Sequence, residues 1–201
     1  SYILAEDFLD GSPSILVLGD NLFFGHGLPE LLATADSNNG ATIFAYQVSN
    51  PKSYGVVGYD QDGLVHSIEE KPEKPASDHA ITGLYFFDGN APRLAKNIQP
   101  SSRGELEITS LLEIYLNKNS LNVELMGRGF AWLDTGTCSD LLEAGNFVRT
   151  IEERQGLQVS NLEEIAYRNG WISKKFIEDQ AKKYIKNSYG QYLLKLLKDN
   201  S

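Results

Sequence analysis

Residues 15–21 read ILVLGDN, four aliphatic side chains followed at once by a glycine and two short polar residues. A short unbroken apolar run of this kind is typical of a parallel strand that is buried on both faces. Outward from it, residues 28–36 place apolar side chains on one helical stripe, and residues 41–48 form a second nearly continuous apolar run. This strand–helix–strand order predicts an α/β fold with a Rossmann-like, mixed but mostly parallel sheet flanked by helices.

Beyond residue 48 the pattern changes. Residues 54–59 and 64–69 flank the sequence DQDG, whose aspartates and glycine favour a β-hairpin turn. Further strands are predicted at 80–87, 123–126 and 131–134, and further helices at 90–97, 106–117 and 137–154. From residue 155 onward only short helices are predicted, at 161–169, 174–185 and 191–197. We therefore expect a sheet-bearing part, residues 1–154, and a C-terminal helical appendage, residues 155–201.

The composition is that of an ordinary soluble globular protein, with 41% hydrophobic and 22% charged residues. No apolar run approaches the ~20 residues that span a bilayer, so no membrane segment is predicted. The formal charge of −9 argues against a nucleic-acid partner, because that field repels phosphate backbones. The single cysteine, Cys138, cannot form an internal disulfide, and a reducing cytoplasm is therefore the simplest compartment.

Two aspartates, Asp20 and Asp134, each lie at the predicted carboxyl end of a strand. Ligands of open α/β sheets bind outside those ends, and two carboxylates that converge there could hold Mg²⁺ together with substrate phosphates. Aspartates in such positions also cap the turns that follow them. The spacing alone leaves both interpretations open.

Two cations lie where an anion could be bound. Lys71 follows Glu70 directly after a predicted strand, where the pair could present an ammonium to a phosphate and a carboxylate to sugar hydroxyls. The alternative is a solvated strand end with a weak salt bridge. Arg103 precedes a predicted helix, whose N-terminus favours anions, although a simple loop between helices has the same sequence pattern.

Two aromatic residues, Tyr54 and Trp132, lie beside glycine-rich turns, where a flat ring can stack on a sugar or pack in the core. The three histidines show no spacing typical of a metal site. Neither a nucleophile-elbow motif nor a phosphate-binding Gly-x-x-x-x-Gly-Lys loop occurs in the sequence. The residues by themselves therefore predict an α/β domain with an anion and metal site.

Six strings occur in order along the chain: VLGDN at 17–21, YGVV at 54–57, IEEKP at 68–72, TGLY at 82–85, RGELEIT at 103–109 and AWLDTG at 131–136. Together they closely resemble the bacterial glucose-1-phosphate thymidylyltransferases, a family of sugar nucleotidyltransferases, and the likeness covers essentially the whole chain. That family couples glucose 1-phosphate with dTTP to give dTDP-glucose and pyrophosphate, and it requires Mg²⁺.

The resemblance implies a role for each matching residue. Asp20 and Asp134 would be the metal ligands, and Lys71 and Arg103 the catalytic residues that bind the sugar phosphate. The sugar would be bound by the remaining matched positions, Tyr54, Gly55, Glu70, Ile81, Tyr85 and Trp132. The family also implies a homotetramer and a regulatory nucleotide site, which by position would include Gly25, His26, Arg128, Glu164, Ile165 and Arg168.

The family pattern opens with a glycine-rich nucleotide-binding loop, to which nothing in this sequence corresponds. The chain also starts at Ser1, inside a helical pattern, so we expect an incomplete nucleotidyltransferase domain that is inactive alone. Two alternatives remain open at this point. One is a non-catalytic fragment that binds sugar phosphate or only assembles with partners. The other is a relative that uses UTP or another sugar 1-phosphate.

Overall fold

A computed structural model describes residues 1–101 and 103–199 of the chain. Its contacts divide the chain into two units, Ser1–Gly136 and Thr137–Ser201. In the described residues, all of the strands lie in the first unit, and the second contains helices. By its contacts, the long helix that was predicted to close the sheet-bearing part therefore belongs with the C-terminal helices. The assignment of sugar and metal binding to residues 1–154 stays a prediction.

The first unit contains eight strands and four α-helices in its described residues: α1 (Tyr2–Leu9), β1 (Ser14–Val17), β2 (Asn21–Gly25), α2 (Leu28–Ser37), β3 (Ala41–Gln47), β4 (Gly55–Tyr59), β5 (Val65–Glu70), β6 (His79–Phe87), α3 (Ala91–Ala95), α4 (Ile108–Asn117), β7 (Leu121–Met126) and β8 (Phe130–Asp134). A single 3₁₀ turn, Pro51–Ser53, precedes β4. These elements match the predicted ones with small shifts at their ends. The exception is β2, which the sequence pattern did not predict.

The larger sheet has six strands in the order β5-β4-β6-β3-β7, with β1 also paired to β6. Only β3 and β7 are parallel, and all other pairs in this sheet are antiparallel. The prediction of a mostly parallel sheet is therefore wrong, while the α/β class with flanking helices is confirmed. The strand–helix–strand pattern correctly gives β1 and β3 the same direction. However, β6 lies between them and runs antiparallel to both, and a local sequence pattern does not show this.

Strand β1 is not buried on both faces as its apolar run predicted. Ile15 and Val17 are more than half exposed, whereas Leu16 between them packs against the main core. Among the described residues, β1 pairs only with β6, so its other edge carries no ladder. The unbroken aliphatic run at residues 15–18 therefore did not correctly predict burial of this strand on both faces.

Two strands share one edge of β6. Strand β4 meets it opposite Ala80, and β1 meets it opposite Leu84–Phe87, while β3 occupies the other edge. Residues 81–83 of β6 lie between the two pairings. Strands β1 and β4 diverge there, and a gap of this kind is where α/β sheets commonly hold ligands. Beside this gap, β2 and β8 form a two-stranded antiparallel sheet.

Both faces of the sheet are covered at β3 and β6, whose alternate residues point to opposite faces. On one face, Ile43 and Tyr85 pack with Leu111, Leu112 and other side chains of α4. On the opposite face, a smaller cluster packs with α2: Ala35, Phe44, Leu84, Phe86 and Met126. This burial on both faces fixes the position of β6, and with it the gap at residues 81–83.

The second unit has its own small core. It contains α5 (Cys138–Gln155), α6 (Leu162–Arg168), α7 (Lys174–Lys183) and α8 (Ser188–Asp199). The Thr137 side chain caps α5 by accepting a hydrogen bond from the Asp140 amide, as its sequence position predicted. Ile177, Leu193 and their neighbours on α7 and α8 form the buried cluster. None of the helices in the described residues is long and apolar enough to cross a membrane.

Tyr115 and Tyr59 give a matched test of the core of the first unit. The Tyr115 hydroxyl donates a hydrogen bond of 2.6 Å to Asp88, whereas the Tyr59 hydroxyl is buried without a partner. We expect Tyr115→Phe to lower the free energy of unfolding by about 1.5–3 kcal/mol at neutral pH, since the acceptor is charged. Tyr59→Phe should be neutral or stabilising. Urea denaturation of the two variants measures both effects.

The hydrogen bond between Tyr115 and Asp88 predicts that the free energy of unfolding depends on pH. Burial alone raises the pKa of Asp88, but hydrogen bonds from Tyr115 and Asn90 outweigh it and lower that pKa below its ordinary value. A carboxylate with a lowered pKa stabilises the fold above its ordinary pKa of roughly 3.9, and this stability is lost as the pH falls. The difference in the free energy of unfolding between wild type and Tyr115→Phe should therefore become smaller at acid pH. A difference that stays constant down to acid pH would contradict this.

Candidate functional site

A cavity of about 210 Å³ lies where β1 and β4 diverge from β6. Nine of the ten residues predicted to bind metal, phosphate or sugar line it, and Arg103 does not. The lining consists of Leu18, Asp20, Asn21, Ser53, Tyr54, Gly55, Glu70, Lys71, Ile81, Gly83, Tyr85, Glu107, Ile108, Thr109, Trp132 and Asp134. A larger cavity of about 520 Å³ contains none of the predicted residues. Its lining comes instead from residues 13–15, 35–40, 42 and 86–88.

The two aspartates come together because β2 and β8 pair. Asn21 lies opposite Asp134, and the amide and hydroxyl of Thr135 both donate to the Asp20 carbonyl, at 2.7 and 2.8 Å. The Asp134 carboxylate also accepts from the Gly136 amide at 3.2 Å, so it caps its turn and lines the cavity at once. The two interpretations of the sequence are therefore compatible for Asp134.

These two carboxylates fit Mg²⁺ better than they fit a metal with a full protein cage. No group of three or more histidine, cysteine, aspartate or glutamate residues suited to a metal occurs in the described chain. Mg²⁺ is usually held by one or two carboxylates together with substrate phosphates and water. The donor set is therefore chemically suited to a magnesium ion that arrives with a phosphorylated ligand.

Glu70 is held in place on the cavity wall. Its carboxylate accepts a hydrogen bond of 3.1 Å from Thr109, and burial together with the Glu70 charge raises the pKa of Tyr85. Gly55 lies against the same group, because a Cβ there would come within 3.0 Å of the Thr109 methyl and 3.6 Å of Glu70. The missing side chain at Gly55 therefore leaves the carboxylate accessible from the cavity.

Lys71 supplies the positive charge of the cavity wall. It follows β5 with a φ of 43°, in the left-handed region, and its amide donates to the Tyr54 carbonyl at 3.1 Å. Left-handed backbone costs a residue with a side chain roughly 1–2 kcal/mol, and such strain concentrates at functional sites. The conformation therefore supports, independently of the sequence strings, a functional role for this lysine.

Arg103 lies at the rim of the cavity within a group of carboxylates. Its guanidinium hydrogen-bonds Glu105 and lies 3.6 Å from both Glu70 and Glu107. The hydrogen bond to Glu105 and the charges of Glu107 and Glu70 raise the pKa of Arg103. A phosphate would have to compete with these carboxylates for the guanidinium. Of the two residues predicted to bind the sugar phosphate, Arg103 is thus the one whose contacts must change before it can do so.

Trp132 forms the aromatic part of the site. Its ring meets Tyr54 edge to face at 5.0 Å and Tyr46 at 6.1 Å between centroids. The indole nitrogen donates to the Asn21 side chain at 2.6 Å. Trp132 is thereby held by a polar contact as well as by its ring neighbours, in a partly exposed position suited to contact with a ligand.

Sequence reasoning missed several residues of this cavity. Asn21, Glu107 and Thr109 all line it, yet none was assigned a role. The strings VLGDN and RGELEIT contain them, so a signal was present. A string match does not say which of its side chains face the cavity, and that information came from the strand pairing.

The six residues predicted for a regulatory nucleotide site divide between the two units. Gly25, His26 and Arg128 belong to the first unit, and Glu164, Ile165 and Arg168 to the second. Within the second unit, Arg168 and Glu164 form an ion pair one helical turn apart, at 2.7 Å. A joint site made from the two sets stays a prediction.

The fold and the cavity define the class as nucleotidyltransferase-like: a mixed sheet with flanking helices, and two aspartates and a lysine around one cavity at a divergence of strands. The nucleotidyl transferase family model matches residues 1–151. The chain belongs to that family. Together with the relatives described next, this match confirms the resemblance inferred from the six strings.

Glucose-1-phosphate thymidylyltransferases are homologous to this chain. The proteins from Xanthomonas campestris pv. campestris and Neisseria meningitidis are 53% and 51% identical to it over 199 residues. These alignments include 98% of this chain, which spans 68–69% of the length of those relatives.

Solved structures show the same fold. A Bacillus anthracis protein assigned as a glucose-1-phosphate thymidylyltransferase, determined in complex with a sucrose, matches with a TM-score of 0.64 and 33% identity. That match covers 73% of this chain and 58% of the other. A UDP-glucose pyrophosphorylase complexed with UDP-glucose also matches with a TM-score of 0.64, but at 19% identity, and so shows only the fold.

The strain at Lys71 can be measured directly. Lys71→Gly and Lys71→Ala both remove the ammonium group, but only glycine adopts the left-handed conformation without strain. We therefore expect Lys71→Gly to be more stable than Lys71→Ala by roughly 1 kcal/mol in urea denaturation. The same two substitutions at Lys74, which has a negative φ, should give the opposite order. Equal stability of the two Lys71 variants would contradict the assignment of strain.

Proposed function

We propose that these residues form the sugar-phosphate- and metal-binding part of a glucose-1-phosphate thymidylyltransferase. The reaction is the transfer of a thymidylyl group from dTTP to glucose 1-phosphate, which gives dTDP-glucose and pyrophosphate. The observation that carries the proposal is the single cavity at the divergence of β1 and β4, lined by acidic, basic and aromatic residues of the matching strings. The homology to thymidylyltransferases supports the choice of substrates.

The glucose ring is assigned to the part of the cavity around Gly55. The Glu70 carboxylate, held by Thr109, is oriented to accept hydrogen bonds from sugar hydroxyls. The rings of Tyr54 and Trp132 form an adjacent aromatic wall. Ile81 and Tyr85 line the remaining surface, where they exclude water from the sugar.

The phosphate is assigned to Lys71 and Arg103. Lys71 offers an ammonium group from a backbone fixed by its amide bond to Tyr54. Arg103 would exchange its present contacts with Glu105 and Glu107 for the phosphate. Both cations orient the attacking phosphate oxygen and offset its repulsion from the triphosphate, so positioning supplies much of the rate.

Asp20 and Asp134 would hold Mg²⁺, and when bound the ion neutralises charge on the phosphates of both substrates. In the reaction an oxygen of glucose 1-phosphate attacks the α-phosphorus of dTTP. The new phosphorus–oxygen bond forms as the bond to pyrophosphate breaks. No protein side chain forms a covalent bond, so the contribution of this chain is binding, orientation and charge.

We assign turnover to a protein that joins these residues to the remaining third of the relatives' length. All residues assigned to the sugar phosphate lie within the present 201, so we expect this chain to bind glucose 1-phosphate by itself. Nucleotide preference is decided by comparing dTTP with UTP in the longer protein. Preference for UTP would replace the proposed nucleotide and leave the sugar-phosphate assignment unchanged.

The metal assignment predicts a loss of turnover. In the longer protein, Asp20→Asn and Asp134→Asn should each remove most Mg²⁺-dependent pyrophosphate release, because the carboxylate that binds the ion becomes neutral. Asp62→Asn, in the exposed turn between β4 and β5, is the matched control and should retain activity. Near-normal turnover in either of the first two variants would disprove the assignment.

The phosphate assignment predicts a loss of affinity. A charge-assisted contact is worth ~1.5–3 kcal/mol, so Lys71→Ala should weaken binding of glucose 1-phosphate by about one to two orders of magnitude. Calorimetry on the 201-residue chain measures this. Lys74→Ala, a lysine outside the cavity lining, should leave the affinity unchanged. Unchanged affinity in Lys71→Ala would contradict the role of this lysine.

A further inference from the structure

One side chain, that of Asn21, connects three parts of the cavity wall. Its amide oxygen accepts hydrogen bonds from the Trp132 indole nitrogen at 2.6 Å and from the Gly83 amide at 3.1 Å. Its amide nitrogen donates to the Asp20 carboxylate at 2.9 Å. The contacts join β2 to β8, to the gap in β6, and to a proposed metal ligand.

The orientation of this amide is fixed by its neighbours. An asparagine oxygen has two lone pairs and no proton, and both of its partners here are N–H donors. Rotating the amide by half a turn would place its NH₂ group against two other N–H groups and would turn its oxygen towards a carboxylate. Asn21 therefore has one stable orientation, and in it both lone pairs of the oxygen are used.

The packing around Asn21 also leaves it little freedom. A Cβ added at Gly83 would lie 2.6–2.8 Å from three atoms of the Asn21 side chain, so only glycine gives the amide enough room. Gly83 belongs to the stretch of β6 between its pairings with β4 and β1, where the sheet itself offers its amide no ladder partner. The Asn21 oxygen takes the place of that missing partner.

We propose that Asn21 is a positioning residue that sets the plane of the Trp132 ring against the cavity. Without the amide oxygen, the indole N–H would be left partly buried without this acceptor, and the ring would turn to find another. The edge-to-face contacts with Tyr54 and Tyr46 do not select one direction for the indole nitrogen. This inference rests on the proposed function, in which Trp132 contacts the sugar.

A double-mutant cycle tests whether Asn21 acts through the indole nitrogen. Asn21→Leu removes the acceptor, and Trp132→Phe removes the donor while keeping an aromatic ring. We expect each single variant to weaken glucose 1-phosphate binding about tenfold. The dissociation constant of the double variant should be within about threefold of that of the single variant that binds less tightly, because the two changes break the same interaction. If the affinity losses of the two single variants multiply to about a hundredfold in the double variant, the proposal is overturned.

A spectroscopic measurement separates positioning from a general loss of structure. The chain contains two tryptophans, and Trp171 is largely exposed, so Trp171→Phe leaves Trp132 as the only source of indole emission. In that background Asn21→Leu should shift the emission to longer wavelength and increase its quenching by acrylamide. Asn21→Asp keeps an acceptor for both N–H groups, while the exposed Asp20 carboxylate can turn into solvent. It should therefore restore the wild-type emission.

Asn38→Leu is the matched control. Asn38 is another partly buried asparagine of the first unit, and its amide donates to Thr42 away from the cavity. It should change neither the emission nor the affinity. If Asn21→Leu does not fold, as judged by circular dichroism, Asn21→Ser replaces it, since a serine side chain is too short to reach both donors.

The outcomes distinguish this inference from the proposed function. If wild type binds glucose 1-phosphate and Asn21→Leu retains both its affinity and the Trp132 emission, the role of Asn21 is disproved and the proposed function stands. If wild type does not bind glucose 1-phosphate, the proposed function fails. The emission of the Asn21 variants then still decides whether this residue holds the ring.

Discussion

The attachment of two strands to one edge of β6 is the constraint on which the site depends. Strand β4 pairs near Ala80 and β1 near residues 84–87, while β3 pairs with residues 79–81 and 85–87 on the opposite edge, with an irregularity between the two stretches. Both faces of β6 are packed in hydrophobic clusters, so moving the strand to close the gap between the two pairings would disrupt this packing. The cavity is therefore a consequence of how the sheet is paired, and the absence of a side chain at Gly83 leaves room for the Asn21 amide in its wall.

The local elements could be predicted from sequence because their signals are local. Apolar periodicity and caps such as Thr137 placed most of the helices and strands within a few residues. Strand pairing could not be predicted in the same way, since β6 comes late in the chain and inserts between β1 and β3 without any mark in their sequences. Strand β2 was missed because Asp20 and Asn21 look like turn residues, although the chain continues from them as a strand paired with β8.

In the candidate site too, some residues could be predicted from local sequence, whereas others depend on strand pairing. Residues whose type announces their chemistry, such as Asp134 and Lys71, could be predicted from the strings, and they reach one cavity. Arg103 was predicted equally readily, yet its carboxylate neighbours hold it at the rim. Asn21 lies in one of the strings, but its residue type does not announce a role, because its contacts with Trp132 and Gly83 come from distant parts of the chain. Sequence identifies groups that can react or bind, while the groups that only orient them depend on the pairing of distant segments.

The charges around the cavity explain why sugar phosphate and metal belong together in this proposal. Four carboxylates, those of Asp20, Glu70, Glu107 and Asp134, line the cavity together with the ammonium of Lys71, and the Arg103 guanidinium lies at the rim, 3.6 Å from two of them. A phosphate dianion that enters alone is repelled by the carboxylates. A divalent cation that enters alone is repelled by the lysine ammonium. Each ligand removes the repulsion that the other experiences, so their binding free energies must be coupled, and the coupling is reciprocal. An acidic protein can in this way hold an anionic substrate without a basic surface, provided that the cation and the phosphate bind at adjacent positions.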